Sequence, residues 1–317
     1  MTAAIPRAIS RAPGSVGNLG PGLDVLGCAV TGAHDEVCLE WSDAPGVTVL
    51  DAGHPDLPSA PERNTAAIAA SEALARARAQ GARCLAEGLA LRVTKGLPLS
   101  GGQGGSAASA VAGAVALNTL VGRILSNLEL AECALVAESR VAGRHLDNIA
   151  PSLLGGLVLV RSVDPLDLVP IATPAHLRIV LATPAQRLET ARARAVLPEA
   201  VPRATAIHQM AQVGAIIAAC EADDLALLGR AIDDRIAEPV RASLIPGFRE
   251  VKLAAMETGA LGVSISGAGP TIFALCDGDA RAAAVAAAMH GAFAHLGIES
   301  TVRVTAVSRH GATGALT

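Results

Sequence analysis

The sequence predicts a fold that mixes α-helices and β-strands, of the α/β or α+β class, and three observations support this. Patterns typical of strands and of helices alternate through both halves of the chain. The 317 residues are enough for two domains or one large one. Hydrophobic residues make up 51% of the chain and charged residues only 17%, so it can bury a large core. With one Trp, three Phe and no Tyr, this core is built from aliphatic side chains.

Short runs of aliphatic and β-branched residues, bounded by turn-forming residues, predict the strands. They lie at 36–41, 47–50, 89–93, 156–160, 177–182, 262–266, 271–276 and 300–307. Apolar residues spaced three and four apart predict the helices. They cover 65–79, 107–120, 128–141, 205–220, 224–231, 248–258 and 280–295. The Pro-rich stretch 51–61 predicts a loop, and segment 162–174, with three prolines and two aspartates, predicts a domain junction.

Charge and cysteine usage exclude several classes of protein. The net charge is −4, without a basic stripe or an aromatic platform, so we expect no nucleic-acid partner. The six cysteines are scattered without metal-ligand spacing, which is typical of reduced thiols in a cytoplasmic protein. No signal peptide is visible, and the longest apolar run, 107–122, is too short to span a membrane. We therefore expect a cytoplasmic location and no membrane segment.

The most informative segment is a glycine-rich loop between a predicted strand and a predicted helix. Four glycines occupy five positions, where the backbone can turn sharply and approach a ligand closely. The N-terminus of the following helix favours an anion, most often phosphate. A flexible turn is the alternative interpretation. The predicted nucleotide-binding residues are Pro98, Leu99, Ser100, Gly101, Gly102, Gln103, Gly104, Gly105, Ser106, Ala107 and Ala108.

Two common phosphate loops fit this segment poorly. A Walker-type loop ends in Gly-Lys-Ser/Thr, and here Ser106 follows Gly105 without a lysine. The dinucleotide fingerprint requires an acidic residue about 20 positions further on, at the end of the next strand. Residues 126–128 are Ser, Asn and Leu, in an expected connection between helices.

Three segments in order resemble the motifs of the GHMP small-molecule kinases. Residues 12–27 (APGSVGNLGPGLDVLG) resemble the N-terminal motif, the loop at 98–108 the ATP-binding motif, and residues 266–271 (SGAGPT) the C-terminal motif. Within this superfamily, finer features resemble the homoserine kinases. These are NLGPGLD at 18–24, HLDNIAP at 145–151, TARAR at 190–194 with Leu-Pro at 197–198, and EPVR at 238–241.

The resemblance implies an α+β GHMP kinase fold with the site in a cleft between two domains. Residues 1–165 would form a ribosomal-S5-like N-terminal domain, and residues 166–317 a ferredoxin-like C-terminal domain. It further implies transfer of phosphate from ATP, with Mg²⁺, to the hydroxyl of L-homoserine, giving O-phospho-L-homoserine on the route to threonine. The expected partners are these small molecules, with a homodimer as a further possibility.

The resemblance also implies a role for each site residue. Ser106 and Glu138 would hold Mg²⁺, which prefers carboxylates and phosphate oxygens. A solvated surface charge is the alternative for Glu138, and Glu132 is the second candidate. Arginines bind carboxylates through a two-pronged fork. The implied substrate-binding residues are Asn18, Asp24, His145, Asp147, Asn148, Thr190, Arg194, Arg241 and Gly267.

Within that set, Arg194 and Arg241 would bind the substrate carboxylate, Asp24 the ammonium group, and Asn18 the amino or hydroxyl group. Arg187 and Arg192 are interpreted as surface charges. Asp147 is placed at the acceptor hydroxyl. Two roles are equally open: Asp147 removes the hydroxyl proton, or it orients the hydroxyl by accepting its hydrogen bond. Asn18, Asp147, Ser106 and Glu138 are thus the expected catalytic group. Asn64 is expected at the edge of the adenine pocket.

The chain departs from the family pattern at four positions. Gln103 stands where the loop usually has Leu or Met, and Gly105 replaces the first of two serines. Gly17 replaces an alanine and Leu23 a phenylalanine. Losing one hydroxyl hydrogen bond costs about 1–2 kcal/mol, so nucleotide affinity is the property these changes affect. Two rival functions are a GHMP kinase for another alcohol and an inactive relative that only binds a ligand.

Overall fold

The computed structural model describes residues 6–141 and 143–317, which form two β-sheets covered by helices. The strands are β1 (Arg7–Gly17), β2 (Leu26–Ser42), β3 (Gly46–Asp51), β4 (Gly88–Thr94), β5 (Leu157–Val163), β6 (Leu166–Ile171), β7 (Leu177–Pro184), β8 (Gly262–Ile265), β9 (Ile272–Asp277), β10 (Ser300–Ala306) and β11 (Thr313–Leu316). The helices are α1 (Thr65–Ala79), α2 (Gly105–Leu120), α3 (Asn127–Val141), α4 (Ile149–Leu154), α5 (Thr190–Ala195), α6 (Arg203–Glu221), α7 (Leu225–Arg230), α8 (Glu238–Arg241), α9 (Phe248–Glu257) and α10 (Gly278–His295). Short 3-10 turns cover Pro61–Arg63 and Ala242–Leu244.

The first sheet contains seven strands, ordered β11-β1-β2-β4-β3, with β5 paired to β2 and β6 paired to β5. Its pairs are antiparallel except for β3 with β4. The long strand β2 pairs with β1 along most of its length and carries β4 and β5 at its two ends. This arrangement brings the turn after β1 close to the turn before α4.

The second sheet is antiparallel, in the order β10-β7-β9-β8. Its strands β7, β8 and β9 are buried on both faces, whereas the edge strand β10 is partly exposed. Because side chains alternate along a strand, neighbouring residues of β7 enter different cores. Val180 packs with α9 and α10, whereas Ile179 and Leu181 pack toward α6, α7 and the first sheet. The two sheets therefore share one buried cluster, in which Val16 and Leu26 lie with Phe273.

Helices α1 and α2 pack closely in the core of the first sheet because their facing residues are small. The segment from Ala66 to Ala70 is buried in α1, and most of α2 is buried as well. At Gly113 an added Cβ would lie 2.3 Å from the carbonyl oxygen of Ala66, so this contact requires glycine. The alanine-rich composition is thus explained by a short distance between helices, which fixes α2 and its N-terminus.

The mixed α+β class is confirmed, but the sequence-based prediction for segment 162–174 differs from the structure. Most of this segment is not a linker, because Leu166–Ile171 pairs with β5 as an antiparallel hairpin. Pro170 is compatible with this strand because β6 lies at the edge of the sheet, paired on one side. Strands β6 and β11 both join the first sheet, although they follow residue 165. The division into two domains at that residue remains a proposal.

Helices α4, α5 and α8 are too short to be recognised from apolar spacing, yet each borders the site described below. In the described part of the chain, no helix combines the length and the apolar character needed to cross a membrane. All six cysteines have free thiols.

Candidate active site

A cavity of about 720 Å³ lies between the glycine-rich loop and the segments of the C-terminal half. Residues from all the predicted motifs line it. On one side are the 98–106 loop and the start of α2, and on the other are α5, α8 and the turn at Gly267. Long-range packing thus assembles one site from motifs that are spread over more than 200 residues of sequence.

Three carbonyl groups of the glycine-rich loop accept hydrogen bonds from segments of the C-terminal half. Leu188 N–H donates to the Ser100 oxygen (3.2 Å), and the Thr271 hydroxyl donates to the Gly101 oxygen (2.5 Å). The Ser266 hydroxyl donates to the Gly102 oxygen (2.7 Å). The carbonyl oxygens of residues 100–102 therefore all accept hydrogen bonds from other parts of the protein.

The N–H groups of the same loop are arranged differently. Within residues 6–141 and 143–317, no acceptor receives the N–H groups of residues 102–107. Gly102 and Gly104 adopt positive φ values of 74° and 68°. An added Cβ would lie 2.6 Å from the Ser266 oxygen at Gly102, and 2.3 Å from Ser15 Oγ at Gly104. The loop therefore offers main-chain donors at the N-terminus of α2, the arrangement that binds phosphate.

A buried ion pair, which sequence reasoning missed, supports the base of this loop. Lys95 Nζ contacts the Asp35 carboxylate and donates to Ser109 Oγ (3.0 Å) and to the Gly105 oxygen (3.1 Å). The other Asp35 oxygen accepts from the N–H groups of Gly96 and Leu97, each at 3.2 Å. The signal was a lysine directly before the loop, but its partner lies 60 positions earlier. Lys95 also lines the cavity, so its charge reaches the predicted phosphate position.

Glu138 and Ser106 meet at the cavity as expected for a metal site. Ser106 Oγ donates to Glu138 Oε1 (2.9 Å). The second carboxylate oxygen, Oε2, is buried and has no hydrogen-bond partner in the described part of the chain. Burial raises the pKa of Glu138 from 4.5 to about 7, against the lowering effect of the Ser106 hydrogen bond. Because an orphaned carboxylate oxygen beside a hydroxyl suits a cation, these residues fit Mg²⁺.

Protein side chains alone do not complete a metal site here. In the described residues there is no group of three His, Cys, Asp or Glu side chains that could hold a metal ion. Glu132, the second candidate, forms an ion pair with Arg76 (2.5 Å) on the outer face of α3. A cation at Glu138 would therefore depend on ligand oxygens for the rest of its coordination, as is usual for Mg²⁺ bound with a nucleotide.

Asp147 lies at the bottom of the cavity, directly before α4. It is 3% exposed, and its Oδ1 has no hydrogen-bond partner among the described residues. Burial raises its pKa from 3.8 to about 7, with a further contribution from Asp24. At Gly17 an added Cβ would lie 2.5 Å from Asp147 Oδ2, so glycine at this position leaves room for the carboxylate.

Two arginines line the side of the cavity where the acceptor is predicted to bind. Arg241 is 2% exposed and donates to the carbonyl oxygens of Ala193 (3.1 Å) and Gly267 (2.9 Å). Arg194, on α5, donates to Asp24 Oδ1 (2.5 Å). Burial and the neighbouring Arg194 lower the pKa of Arg241. The predicted carboxylate ligand Arg194 and the predicted ammonium ligand Asp24 therefore bind each other in this structure.

The remaining predicted substrate residues also border the cavity. Asn18 donates to the Gly267 oxygen (3.0 Å) and accepts from the Asp24 N–H (3.1 Å), which connects the first and third motifs. His145 is buried, and its pKa is lowered by burial and by Arg194, so the ring is neutral. Asn148 accepts from Ser15 Oγ (2.9 Å), and Thr190 begins α5.

The other predicted residues occupy different positions. Ala107 and Ala108 are buried in α2, and the Gln103 side chain faces the second sheet, so these three do not line the cavity. Arg192 is exposed on α5, and exposed Arg187 pairs with Asp56 (2.6 Å) at the rim.

Asn64 borders the cavity and has a structural role. Its side chain caps α1 by accepting from the Ala67 N–H (3.2 Å) and donates to the Pro58 oxygen (3.1 Å). The end of the Pro-rich loop is therefore fixed at the cavity.

Comparison with known proteins is consistent with this geometry. The family profile described as GHMP kinases N-terminal domain matches residues 65–156, and the profile for GHMP kinases C terminal matches residues 216–295. Homoserine kinase of Chloroherpeton thalassium is 41% identical over 310 residues, covering 95% of this chain and 97% of that protein. Homoserine kinase of Arabidopsis thaliana is also 41% identical, covering 95% of this chain and 82% of that protein.

A solved structure extends this similarity to three dimensions. The crystal structure of homoserine kinase from Cytophaga hutchinsonii superposes with a TM-score of 0.92, at 39% identity over 99% of each chain. Sequence identity at this level over nearly the whole length, together with the matching motifs in one cavity, identifies the family. The chain belongs to the homoserine kinase family of the GHMP kinases.

Proposed function

We propose that this chain transfers the γ-phosphoryl group of ATP to the side-chain hydroxyl of L-homoserine, giving ADP and O-phospho-L-homoserine. The observation that carries this proposal is that one cavity has two different sides. Main-chain donors at the start of α2 suit phosphates, and Arg194, Arg241 and Asp24 suit an amino acid with both its charges.

The nucleotide phosphates would lie on the N–H groups of the 102–106 loop, near Lys95. We propose that Ser106 and Glu138 hold Mg²⁺ there, and the ion would neutralise charge on the transferring phosphate. Lys95 contributes a fixed positive charge at the same place, because Asp35 and Ser109 restrain its ammonium group.

A zwitterionic acceptor fits the ion pair between Asp24 and Arg194. Its carboxylate can bind Arg194 with Arg241, while its ammonium group binds Asp24, so both charges of the pair gain a new partner. An uncharged alcohol offers neither replacement, and separating the pair would then leave two partly buried charges unsatisfied. Mevalonate and shikimate carry a carboxylate but no ammonium group, so they would leave Asp24 without a new partner. The ion pair therefore favours an amino acid over a sugar, mevalonate or shikimate as acceptor.

Asp147 is the group we place at the acceptor hydroxyl. Its unpartnered Oδ1 can accept the hydroxyl hydrogen and direct the oxygen toward the phosphate. In a loose transition state, positioning contributes more than early removal of the proton, and we therefore assign Asp147 an orienting role. Its raised pKa would also allow it to receive the proton as the new phosphate ester forms.

We further propose a cytoplasmic location, which the free cysteines support, and a place on the route to threonine. The proposed activity is tested by measuring ADP release with homoserine, threonine, serine, mevalonate and shikimate as acceptors. We expect turnover with homoserine and at least tenfold lower kcat/KM with the others, since each loses a charge or misplaces its hydroxyl. Turnover with mevalonate or shikimate but not homoserine would refute the substrate. Absence of turnover with every acceptor, despite nucleotide binding, would indicate an inactive relative.

A further inference from the structure

Gln103 is one of the two loop residues that depart from the family pattern, and it is only 4% exposed. Arg303 Nη2, from β10, donates to Gln103 Oε1 (2.9 Å). Gln103 Nε2 donates to Thr183 Oγ1 (3.0 Å), on β7. The orientation of the amide is fixed by chemistry, because a guanidinium only donates and the amide oxygen must therefore face it.

The two threonine hydroxyls continue this series of hydrogen bonds. Thr183 Oγ1 and Thr271 Oγ1 lie 2.6 Å apart. The Thr271 hydroxyl donates to the Gly101 oxygen (2.5 Å), so its hydrogen is already used. Thr183 is therefore the donor between the two hydroxyls. Gln103 Nε2 also donates directly to Thr271 Oγ1 over a longer distance (3.4 Å). The shorter hydrogen bonds form a directed series from Arg303 through Gln103, Thr183 and Thr271 to the Gly101 carbonyl.

This series of hydrogen bonds ends at a peptide group that borders the cavity. The Gly101 carbonyl and the Gly102 N–H belong to the same peptide group, and Gly102 lines the cavity. The carbonyl also accepts from the Thr271 N–H (3.3 Å). Hydrogen bonds to a carbonyl polarise the peptide and strengthen its N–H as a donor, and successive bonds in a series reinforce one another.

The positive charge of Arg303 can polarise this series of hydrogen bonds. No carboxylate lies within 4.0 Å of its guanidinium in the described part of the protein. Its other contact is a donation from Nη1 to the Thr31 oxygen (2.8 Å). Its pKa is lowered by burial. The positive charge is thus not neutralised locally by an acid.

We propose that Gln103 and Arg303 are positioning residues for the phosphates of the nucleotide, acting through the Thr183–Thr271 hydroxyls on the Gly101–Gly102 peptide. This inference rests on the proposed role of the loop as the ATP site. It assigns a function to Gln103 that differs from direct contact with the nucleotide. We expect the effect to be specific to phosphate, because the polarised N–H is one of the loop donors to which we assign the phosphates.

The experiment compares the binding of ADP and of adenosine by calorimetry, without homoserine. Gln103→Met keeps the length of the side chain and removes the amide, and Thr183→Val removes the hydroxyl at similar volume. We expect each to weaken ADP binding about tenfold, equal to about 1.4 kcal/mol, and to leave adenosine binding unchanged. Thr183→Ser should restore ADP binding. The double variant should bind ADP no worse than Gln103→Met alone, because that change already removes both hydrogen bonds by which Gln103 reaches the two threonines.

Gln80→Met is the matched control, since Gln80 contacts Glu129 on an exposed surface remote from the loop. It should change neither ligand's affinity. Arg303→Met should reproduce the ADP-specific loss, which keeps the test valid if one of the other variants does not fold. Equal weakening of ADP and adenosine, normal ADP binding by folded variants, or failure of Thr183→Ser to restore affinity would each overturn the inference. The variants could show this pattern of ADP binding while the wild type phosphorylates no homoserine. The proposed function would then fail, and the positioning role of Gln103 and Arg303 would stand.

Discussion

The proposed nucleotide side of the cavity offers mainly main-chain N–H groups, whereas the proposed acceptor side offers charged side chains. The loop departs from the family pattern at Gln103 and Gly105, yet its backbone donors remain available. On the acceptor side, Asp24, Arg194 and Arg241 all match the pattern. The difference indicates that a site of backbone donors loses less from a side-chain replacement than a site made of buried charges, which depends on each residue type.

The largest effect is expected on the acceptor side, from Arg194→Met. This change removes the proposed two-pronged ligand of the substrate carboxylate and leaves Asp24 without its partner. We expect kcat/KM for homoserine to fall at least 100-fold, corresponding to about 2.7 kcal/mol, with ADP affinity unchanged. Steady-state kinetics and calorimetry measure the two quantities.

The control is Arg192→Met, which changes an exposed arginine on the same helix. It should retain wild-type kinetics. A comparable loss in both variants would mean that the charge of α5 as a whole, and not the site of Arg194, matters. An equal loss of ADP affinity in Arg194→Met would show that the two sides are not independent.

A smaller effect is expected from Asp147→Asn, which separates orientation from base catalysis. If Asp147 orients the hydroxyl, kcat should fall less than about tenfold while the homoserine KM rises, because the amide oxygen still accepts a hydrogen bond. General base catalysis is worth about 10²–10⁴-fold. A kcat loss in that range with unchanged KM would therefore contradict the orienting role.

The same variant has a second, pH-dependent readout in its stability. The Asp147 carboxyl has a pKa of about 7 when folded and near 3.8 when unfolded, so the folded state holds the extra proton between these values. Its stability contribution is therefore lost as the pH rises from about 4 to about 7. Asparagine carries no such charge, so Asp147→Asn should have a higher melting temperature than the wild type at pH 8. This gain should disappear toward pH 4, as thermal unfolding at both pH values would show.

The smallest effect is expected from Gly105→Ser on the nucleotide side. An added Cβ would meet Lys95 Nζ at 3.4 Å and Leu97 Cβ at 3.6 Å, so the position accepts a side chain. The restored hydroxyl should tighten ADP binding less than about tenfold, the value of one hydrogen bond. Homoserine KM should not change.

Gly105→Ala adds the methylene group without the hydroxyl and should bind ADP as the wild type does. Gly104→Ala is the opposite case, because its positive φ and the contact with Ser15 exclude a side chain. That variant should bind ADP more weakly. Tighter binding by Gly105→Ala would attribute the gain to backbone stiffening and not to the hydroxyl.

The sequence was sufficient to predict the mixed fold and the family, because the fold class depends on local patterns and the family on motifs that resemble known ones. It was also sufficient to place Ser106 with Glu138, since the resemblance carried both. It did not predict the ion pair between Asp24 and Arg194, whose residues are 170 positions apart. The sequence also did not predict which way the Gln103 side chain points, because its hydrogen-bond partners lie on β7 and β10. Pairings of this kind depend on how the two sheets pack, and no local pattern records that.

The buried cluster shared by the two sheets has a consequence for how ligands enter and leave. Val16 and Leu26 are fully buried in one cluster with Phe273. Protein interiors are close-packed, and such packing resists sliding or rotation of one sheet over the other. We therefore expect that substrate entry and product release do not require a large movement of one sheet relative to the other. Access is left to short peripheral segments, such as α5 and the rim where Arg187 meets Asp56. An exposed ion pair of that kind is weak enough to open and re-form in every cycle.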